Sequence, residues 1–283
     1  MTRLLAWLLC TASLPAAGPF QFRDQGGKSL ELTDGGRPVL VYNYGTLLAG
    51  GVKEQFRRST YVHPLCAPDG TIVTDDFPKD HPHHRGLCWA WPVVRFEGRT
   101  YDVWAVEGMH QRFVRWLARE TAPAQARLEV ENGWFAGDRK AVRETVQLVV
   151  YPARDNRRVI GVKLILEAMD QPVEIAGREK KGYGGLNIRF APRENTVIRT
   201  PAGVEKADSD MTVHPWAELE GVMNGRLAGA RIDIDPANRD APNGWCLRHY
   251  GYLGVNWPAL GSWTLRRGRP VELNYRVTVF SAR

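Results

Sequence analysis

The feature that most constrains this chain is the alternation of apolar and polar residues along much of its length. Residues 271–279, 146–150 and 160–166 each place an apolar side chain at every second position. A period of two buries one side of a β-strand and leaves the other side in water. Turn signals such as Asp34-Gly35 and Asn132-Gly133 divide these runs. The pattern predicts an all-β protein with one large antiparallel β-sandwich.

The same pattern excludes several other folds. The 283 residues contain 43% hydrophobic and 24% charged residues, which is typical of a globular protein. Strands do not alternate with helical segments, so a Rossmann fold or an α/β barrel is disfavoured. Two stretches are poor in strand pattern, residues 61–85 and 201–221, and we interpret them as long functional loops.

The first residues have the layout of an export signal. Arg3 precedes an apolar stretch, residues 4–17, that ends in small residues and is too short to cross a bilayer. We therefore predict a signal peptide over residues 1–18 and a single domain over residues 19–283 in a periplasmic or secreted protein. The alternative is a buried N-terminal helix. No membrane span is expected after signal cleavage.

The net charge of +7 is scattered along the chain. Basic pairs such as Arg57-Arg58 and Lys180-Lys181 lie far apart, and no nucleic-acid motif accompanies them. We predict solvated strand faces and no nucleic-acid partner.

Histidines concentrate in one segment. Four of the seven lie between positions 63 and 84, namely His63, His81, His83 and His84. Prolines within residues 78–82 disfavour a helix there and restrict the backbone. Because the pattern becomes strand-like from residue 87, we predict that the histidines lie on a rigid loop that leads into a strand.

This segment offers three kinds of chemistry. Imidazoles titrate near neutral pH, so His83 and His84 are our candidate acid/base pair, with Asp76 as the carboxylate that orients a ring. Asp75 and Asp80 are neighbouring candidates for the same role. The first alternative is a divalent metal site, and the second is a purely structural loop.

The metal alternative would use His81, His83 and His84. No other cofactor is evident from the sequence.

Further residues are candidates for contacts with a substrate. They combine rings, cations and turn residues, as a binding rim would, and comprise His63, His81, Arg85, Trp91, Tyr183 and His214. The alternatives are a core position for Trp91, a surface salt bridge for Arg85 and a tight turn around Tyr183. Residues 235–250 mix aromatic, polar and turn residues in the same way, but that signal alone is weak.

Several of these motifs together resemble a known family. Residues 61–65, 76–86, 89–91 and 182–186 are similar to the signature of the bacterial methane oxygenase PmoA-like family. Its functional name implies transmembrane helices that this sequence lacks, so we expect the name to be a misannotation.

The resemblance implies an exported supersandwich, similar to galactose mutarotase-like folds, in which histidines and a carboxylate act on sugars. In the family pattern, histidines stand at the positions that Asp235 and Cys246 occupy in this chain, so the chain departs from the pattern at both. Whether these departures mark a loss of activity is left open.

Taken together, the sequence predicts an exported carbohydrate-active protein, interpreted as an epimerase, lyase or hydrolase that uses histidine acid/base chemistry. Its partner would be a small carbohydrate or a glycan. One alternative is a non-catalytic carbohydrate-binding sandwich, and the other is a metal-dependent enzyme using His81–His84. The oligomeric state is left open.

Overall fold

The computed structural model describes residues 19–282, and the signal peptide predicted over residues 1–18 lies outside them. Within these residues the chain forms β-strands, one short 3-10 helix (Glu54–Phe56) and no α-helix. No helix in the described part is long and apolar enough to span a bilayer.

Most strands follow one another with short connections, but the segments between β3 and β4 and between β4 and β5 are long. In chain order they are β1 (Phe20–Gln25), β2 (Ser29–Asp34), β3 (Arg37–Asn43), β4 (Tyr61–Leu65), β5 (Leu87–Ala90), β6 (Val93–Phe96), β7 (Arg99–Tyr101), β8 (His110–Ala122), β9 (Gln125–Ala136), β10 (Arg139–Val150), β11 (Arg157–Ala168), β12 (Val173–Ala176), β13 (Gly185–Arg189), β14 (Glu194–Thr200), β15 (Gly203–Glu205), β16 (Ser209–Val213), β17 (Trp216–Met223), β18 (Arg226–Ile234), β19 (Gly244–Arg248), β20 (Tyr252–Asn256), β21 (Ser262–Leu265) and β22 (Val271–Ser281).

These strands form three antiparallel sheets. The first sheet has the order β1-β2-β3-β4-β5-β13-β20-β19-β16, and the second has the order β15-β14-β17-β18-β22-β11-β10-β9-β8. A third sheet of four strands has the order β21-β12-β6-β7. The predicted all-β class with a large antiparallel sandwich is confirmed.

The two large sheets contribute side chains to one hydrophobic core. The hydroxyl of Tyr42, on the first sheet, accepts a hydrogen bond of 2.9 Å from Asn132 Nδ2 on the second. The second sheet shows the predicted alternation, and along β11 and β22 every second residue is buried. Its other face is polar and open to water, as antiparallel sheets allow.

The centre of the first sheet is different, because β5, β13 and β20 are buried on both faces. One face packs in the core, and the other lies beneath loops that include the histidine-rich segment. Cys88, Asn187, Gly254 and Cys246 lie opposite one another across four strands, so they share this covered face. The predicted site therefore lies above the middle of the first sheet.

One loop prediction needs correction. The stretch 201–221 contains β15, β16 and the start of β17 and is not a long loop. Its first two strands are short edge strands with mostly exposed or half-exposed residues. Such strands bury too little apolar surface to produce a clear period of two.

Candidate functional site

The histidine-rich loop is fixed to the first sheet at both ends. Asp76 and Arg85 form an isolated antiparallel bridge that closes the loop. The backbone N–H of Asp75 donates to the carbonyl of Arg189 at the end of β13, at 3.0 Å. Within the loop, His81 N–H donates to Pro78 O and His84 N–H donates to His81 O. These two turns bring the histidine rings together.

Three imidazoles form what we call the histidine cluster: His81, His83 and His84. The rings of His81 and His84 are stacked, with centroids 4.7 Å apart and planes only 6° from parallel. The ring of His83 meets that of His84 edge to face at 4.6 Å. On its other side His81 stacks against Tyr250 at 5.1 Å. The sequence predicted that these histidines share a loop, and the structure brings all three into contact.

Tyr252 on β20 lies beneath the cluster, with its ring centroid 5.0 Å from that of His84. Its ring lies over Gly254, where a Cβ atom would come within 2.8 Å of it. The glycine therefore allows the tyrosine to lie flat against the sheet. Trp104 completes this side, 5.8 Å from His84 and 5.1 Å from Tyr183.

The carboxylate that reaches a histidine is Asp80. Its Oδ2 lies 3.0 Å from His81 Nδ1, and both of its oxygens accept hydrogen bonds from Arg189 Nη2, at 2.8 and 2.9 Å. Burial raises the pKa of Asp80, but the contacts with His81 and Arg189 outweigh it and hold the pKa below its usual value. Asp80 is therefore ionised at neutral pH and lies at ion-pair distance from His81 Nδ1, which makes no hydrogen bond in the described chain.

Burial keeps the other two cluster histidines neutral. It lowers the pKa of His83 to about 4, with smaller contributions from His81 and nearby arginines. Burial and the neighbouring His83 lower the pKa of His84 well below its usual value. Neutral imidazoles can accept a proton or a hydrogen bond at neutral pH.

Asp76, the predicted orienting carboxylate, has other partners. It accepts a hydrogen bond of 3.0 Å from the Tyr61 hydroxyl, and its Oδ1 lies 3.4 Å from Arg85 Nε. Burial raises the pKa of Asp76 to about 6, although Arg85 and Tyr61 act in the opposite direction. Its contacts thus hold the base of the loop, and it makes no hydrogen bond to a histidine within residues 19–282.

Arg85, predicted to contact a substrate, is fully buried. Its guanidinium donates to the carbonyls of Pro82, His84 and Phe56, and it lies 3.4 Å from the centre of the Phe77 ring. All three bonds are to backbone carbonyls, and the side chain is 0% exposed. Arg85 therefore holds the histidine-rich loop in place.

Trp91 also differs from the predicted substrate contact. It is completely buried, donates from Nε1 to the carbonyl of Trp257 at 2.7 Å, and packs against Trp134 in the core. The core alternative describes its position.

The other residues predicted to contact a substrate do not all lie at the cluster. Among the described residues Tyr183 packs on Trp104, which contacts the cluster, and its hydroxyl accepts a hydrogen bond from Arg178. His63 lies on the covered face of β4, with Nδ1 3.0 Å from Thr74 Oγ1. His214 lies beyond the edge strand β16, 3.8 Å from a Glu205 oxygen, with no contact to the cluster among the described residues.

Several buried polar atoms near the cluster have no hydrogen-bond partner in the described chain. They include His84 Nδ1, the Tyr252 hydroxyl and Arg189 Nη1. Tyr252 and Arg189 are direct cross-strand partners, and Tyr252 contacts His84, so the three residues are neighbours. Since buried polar groups normally have partners, such a group of unpaired atoms is typical of a place where a ligand or water binds.

The histidine cluster does not offer a metal ion three converging ligands. Within residues 19–282, no group of three or more His, Cys, Asp or Glu side chains has the geometry to hold an ion. Two of the three imidazoles are stacked face to face, which directs their nitrogens away from a common point.

The sequence did not single out every residue that builds this site. Asp80 was a secondary candidate because it precedes His81, and Tyr250 lay in a weak motif. Arg189, Tyr252 and Trp104 carried no signal, because only the pairing of distant strands brings them to the loop.

Comparisons with known proteins place the chain in relation to other sequences. The model of a family of unknown function, DUF6807, matches residues 29–283. No curated protein matches the sequence. The resemblance to a methane oxygenase PmoA-like family is therefore wrong, because the matching family has no assigned activity. The expectation of histidines at positions 235 and 246 rested on this resemblance and is withdrawn with it.

Some solved structures are similar to this chain in fold. A heparinase III gene product is 8% identical at a TM-score of 0.38, covering 93% of this chain and 34% of its own. A 4-alpha-glucanotransferase from Thermococcus litoralis is 13% identical at 0.35, covering 94% and 40%. A galactose mutarotase-related enzyme from Lactobacillus acidophilus is 8% identical at 0.40, covering 93% and 97%.

The chain thus spans about a third of the heparinase chain and two fifths of the glucanotransferase chain. All three are named for enzymes that act on carbohydrates or for a relative of one, but at TM-scores this low the likenesses carry no argument about activity.

Proposed function

The chain belongs to the DUF6807 family of unknown function, and we propose that this member is an exported carbohydrate-active enzyme that transfers protons through histidines. The observation that carries the proposal is a histidine beside an ionised carboxylate, next to a histidine that burial keeps neutral. Asp80 Oδ2 lies 3.0 Å from His81 Nδ1, and the ring of His83 lies 5.8 Å from the ring of His81.

His83 is suited to act as a general base. It is only partly buried, its nitrogens have no hydrogen-bond partner among the described residues, and its pKa of about 4 keeps it neutral at physiological pH. A neutral imidazole can accept a proton from a sugar hydroxyl or from an acidic carbon. His81, whose Nδ1 lies 3.0 Å from Asp80 Oδ2, offers Nε2 as the second proton-transfer atom.

The surroundings fit a sugar ring. Tyr250 is 39% exposed and continues the stack formed by His81 and His84, so it offers a flat apolar surface beside polar groups. The unpaired atoms of Tyr252 and Arg189 could bind hydroxyls at the base of the site. A mostly aromatic wall with a few directed polar groups is typical of small-molecule sites.

The test is turnover by the wild type and two matched variants on a panel of neutral and oxidised sugars. We expect His83→Gln to lower kcat/KM by roughly 10²-fold or more, since a positioned acid or base contributes about that much. His110→Gln is the control, because His110 lies on β8 and does not touch the cluster. The wild-type rate should fall only as the pH drops towards about 4, where His83 becomes protonated.

Equal activity of the two variants would contradict the proposal. So would a rate that already falls through pH 6.5, the usual value for an exposed imidazole.

A non-catalytic sugar-binding protein is the second candidate, favoured by the near-complete burial of His84, which is 5% exposed. In that case the wild type would bind sugars without turnover. Tyr250→Ala would weaken binding, whereas His83→Gln would change it little.

A further inference from the structure

A second concave surface lies on the opposite side of the sandwich from the histidine cluster. It is a groove of about 1220 Å³ over the outer face of the second sheet, crossed by β10, β11, β22 and β18. None of its lining residues belongs to the histidine cluster. The proposed enzymatic function therefore leaves this groove unexplained.

Gly161, in the middle of β11, forms part of the groove floor. Its φ angle is not positive, and the nearest atom to a Cβ placed there would be Val149 Cβ at an ordinary 3.8 Å. Neither backbone conformation nor crowding therefore requires a glycine. Because glycine in a strand interior costs roughly 0.5–1 kcal/mol, its presence points to a site that another molecule approaches closely.

The groove is rich in cations. Five line it, namely Arg154, Arg157, Lys163, Arg231 and Arg276, against the two carboxylates Asp233 and Asp235. Lys163 is paired with Glu272 at 2.9 Å, and Arg231 with Asp233 at 2.5 Å. The other three arginines have no carboxylate within 4.0 Å among the described residues.

The cation nearest the floor is Arg276. It lies directly across from Gly161 in the β11–β22 pairing and is exposed. Arg157 lies four pairs further along the same two strands, opposite Phe280. Four residues along a strand span roughly 13–14 Å, so these arginines are spaced along the groove and do not share one point.

Neutral hydrogen-bonding groups lie between the charges. Gln147, Asn274 and Thr278 line the groove, and Tyr151 adds one exposed aromatic ring at 42% exposure. Such a mixture suits a chain of hydroxylated rings that carries separated acidic groups, because arginine recognises carboxylates and sulfates through paired hydrogen bonds.

We propose that this groove binds an anionic polysaccharide, whose carboxylates or sulfates contact the unpaired arginines while a ring lies over Gly161. A nucleic acid fits less well. Double-stranded DNA carries one negative charge per roughly 1.7 Å, which a few spaced cations interrupted by Asp233 and Asp235 do not match. Single strands are held by several stacking rings, and among the described residues Tyr151 is the one exposed ring that lines the groove.

The experiment measures binding of four probes by titration at low and at moderate salt. The probes are oligogalacturonate, dextran sulfate, neutral dextran and a single-stranded DNA oligonucleotide. We expect at least one anionic glycan to bind in a salt-dependent manner and dextran not to bind. The carboxylated and sulfated probes decide which acidic group is recognised.

Two variants locate the binding. Arg276→Gln should weaken it by about tenfold or more, because a charge-assisted hydrogen bond is lost. Gly161→Phe should weaken it at least as much by filling the floor, with an equal or higher melting temperature. Arg37→Gln, on the first sheet, is the matched charge control and should change affinity by less than about twofold, because surface charges act weakly.

Four results would overturn the proposal. The first two are no binding of either anionic glycan, and equal losses of affinity for Arg276→Gln and Arg37→Gln. The other two are tighter binding of the oligonucleotide with the same sensitivity to the variants, and a wild-type dimer that Gly161→Phe dissociates. The last would make a second copy of the chain the occupant. Should Gly161→Phe fail to fold, Arg276→Gln still decides, since it removes no packed core atom. His83→Gln should leave this binding unchanged, which separates it from the enzymatic proposal.

Discussion

A substitution of His63 tests most directly how burial beneath the histidine loop lowers the pKa of a side chain. Its ring lies on the covered face of β4, and burial, with a smaller contribution from Arg85, lowers its pKa to about 4. The perturbation is His63→Asn. Asparagine does not titrate, and it keeps a polar group where His63 Nδ1 meets Thr74 Oγ1 at 3.0 Å.

The sign follows from where protons bind. The unfolded chain takes up a proton on His63 near pH 6.5, whereas the folded chain does so only near pH 4. Between these values the unfolded state binds more protons, so the stability contributed by neutral His63 is complete above about pH 6.5 and is lost as the pH falls to 4. A difference of 2.5 pH units, at about 1.36 kcal/mol each, amounts to about 3 kcal/mol.

Urea unfolding of both proteins between pH 7.5 and about pH 4 measures this difference. The free energy of unfolding of the wild type relative to His63→Asn should be largest at pH 7 and smaller by about 3 kcal/mol at pH 4. Other groups titrate in both proteins and cancel. Thr74→Val is the control: it removes the hydrogen bonds of Thr74 Oγ1 to His63 and to the Leu65 N–H but no titrating group, so its pH profile should parallel that of the wild type. A constant difference between wild type and His63→Asn would refute the reasoning.

Two further substitutions test the covered face. Arg85→Met should lower the free energy of unfolding by about 3–5 kcal/mol, because it leaves Asp76 buried without its cation; a loss below about 1 kcal/mol in urea unfolding would contradict the pinning role. Tyr252→Phe should raise the free energy of unfolding by about 1 kcal/mol, because it removes a buried hydroxyl that has no partner, and should lower kcat/KM on any sugar that the wild type turns over. An unchanged rate would show that this hydroxyl does not contact the substrate.

The fold was largely predictable, and the exceptions have one physical cause. Residues 160–166 and 271–279 lie in β11 and β22, whose outer faces are wet, so burial imposed a period of two on them. β5 and β13 are buried on both faces, and their sequences therefore do not alternate. Short edge strands such as β15 bury too little to leave a pattern. The period-two runs in the sequence therefore mark fewer strands than the structure contains.

The candidate site was predictable only where it is local in the sequence. The histidines share one loop, so their clustering could be inferred from spacing and prolines. The partner of Asp80 is Arg189, 109 residues away, and the two meet only because β13 lies beside β5. The sequence also gave no means of distinguishing the buried Arg85 from an exposed one, since a loop arginine has the same composition in either environment.

Two faces of this sandwich contain features that oppose folding, and they are the two faces to which we assign binding. Burying polar groups without partners opposes folding, yet the covered face of the first sheet holds His84, Tyr252 and Arg189 with unpaired atoms. An interior strand glycine also opposes folding, yet Gly161 lies at the centre of the groove. Natural sequences break such local rules mainly at functional sites. Because each departure lowers stability and neither is demanded by backbone geometry, a ligand at each face is the physical account that explains both.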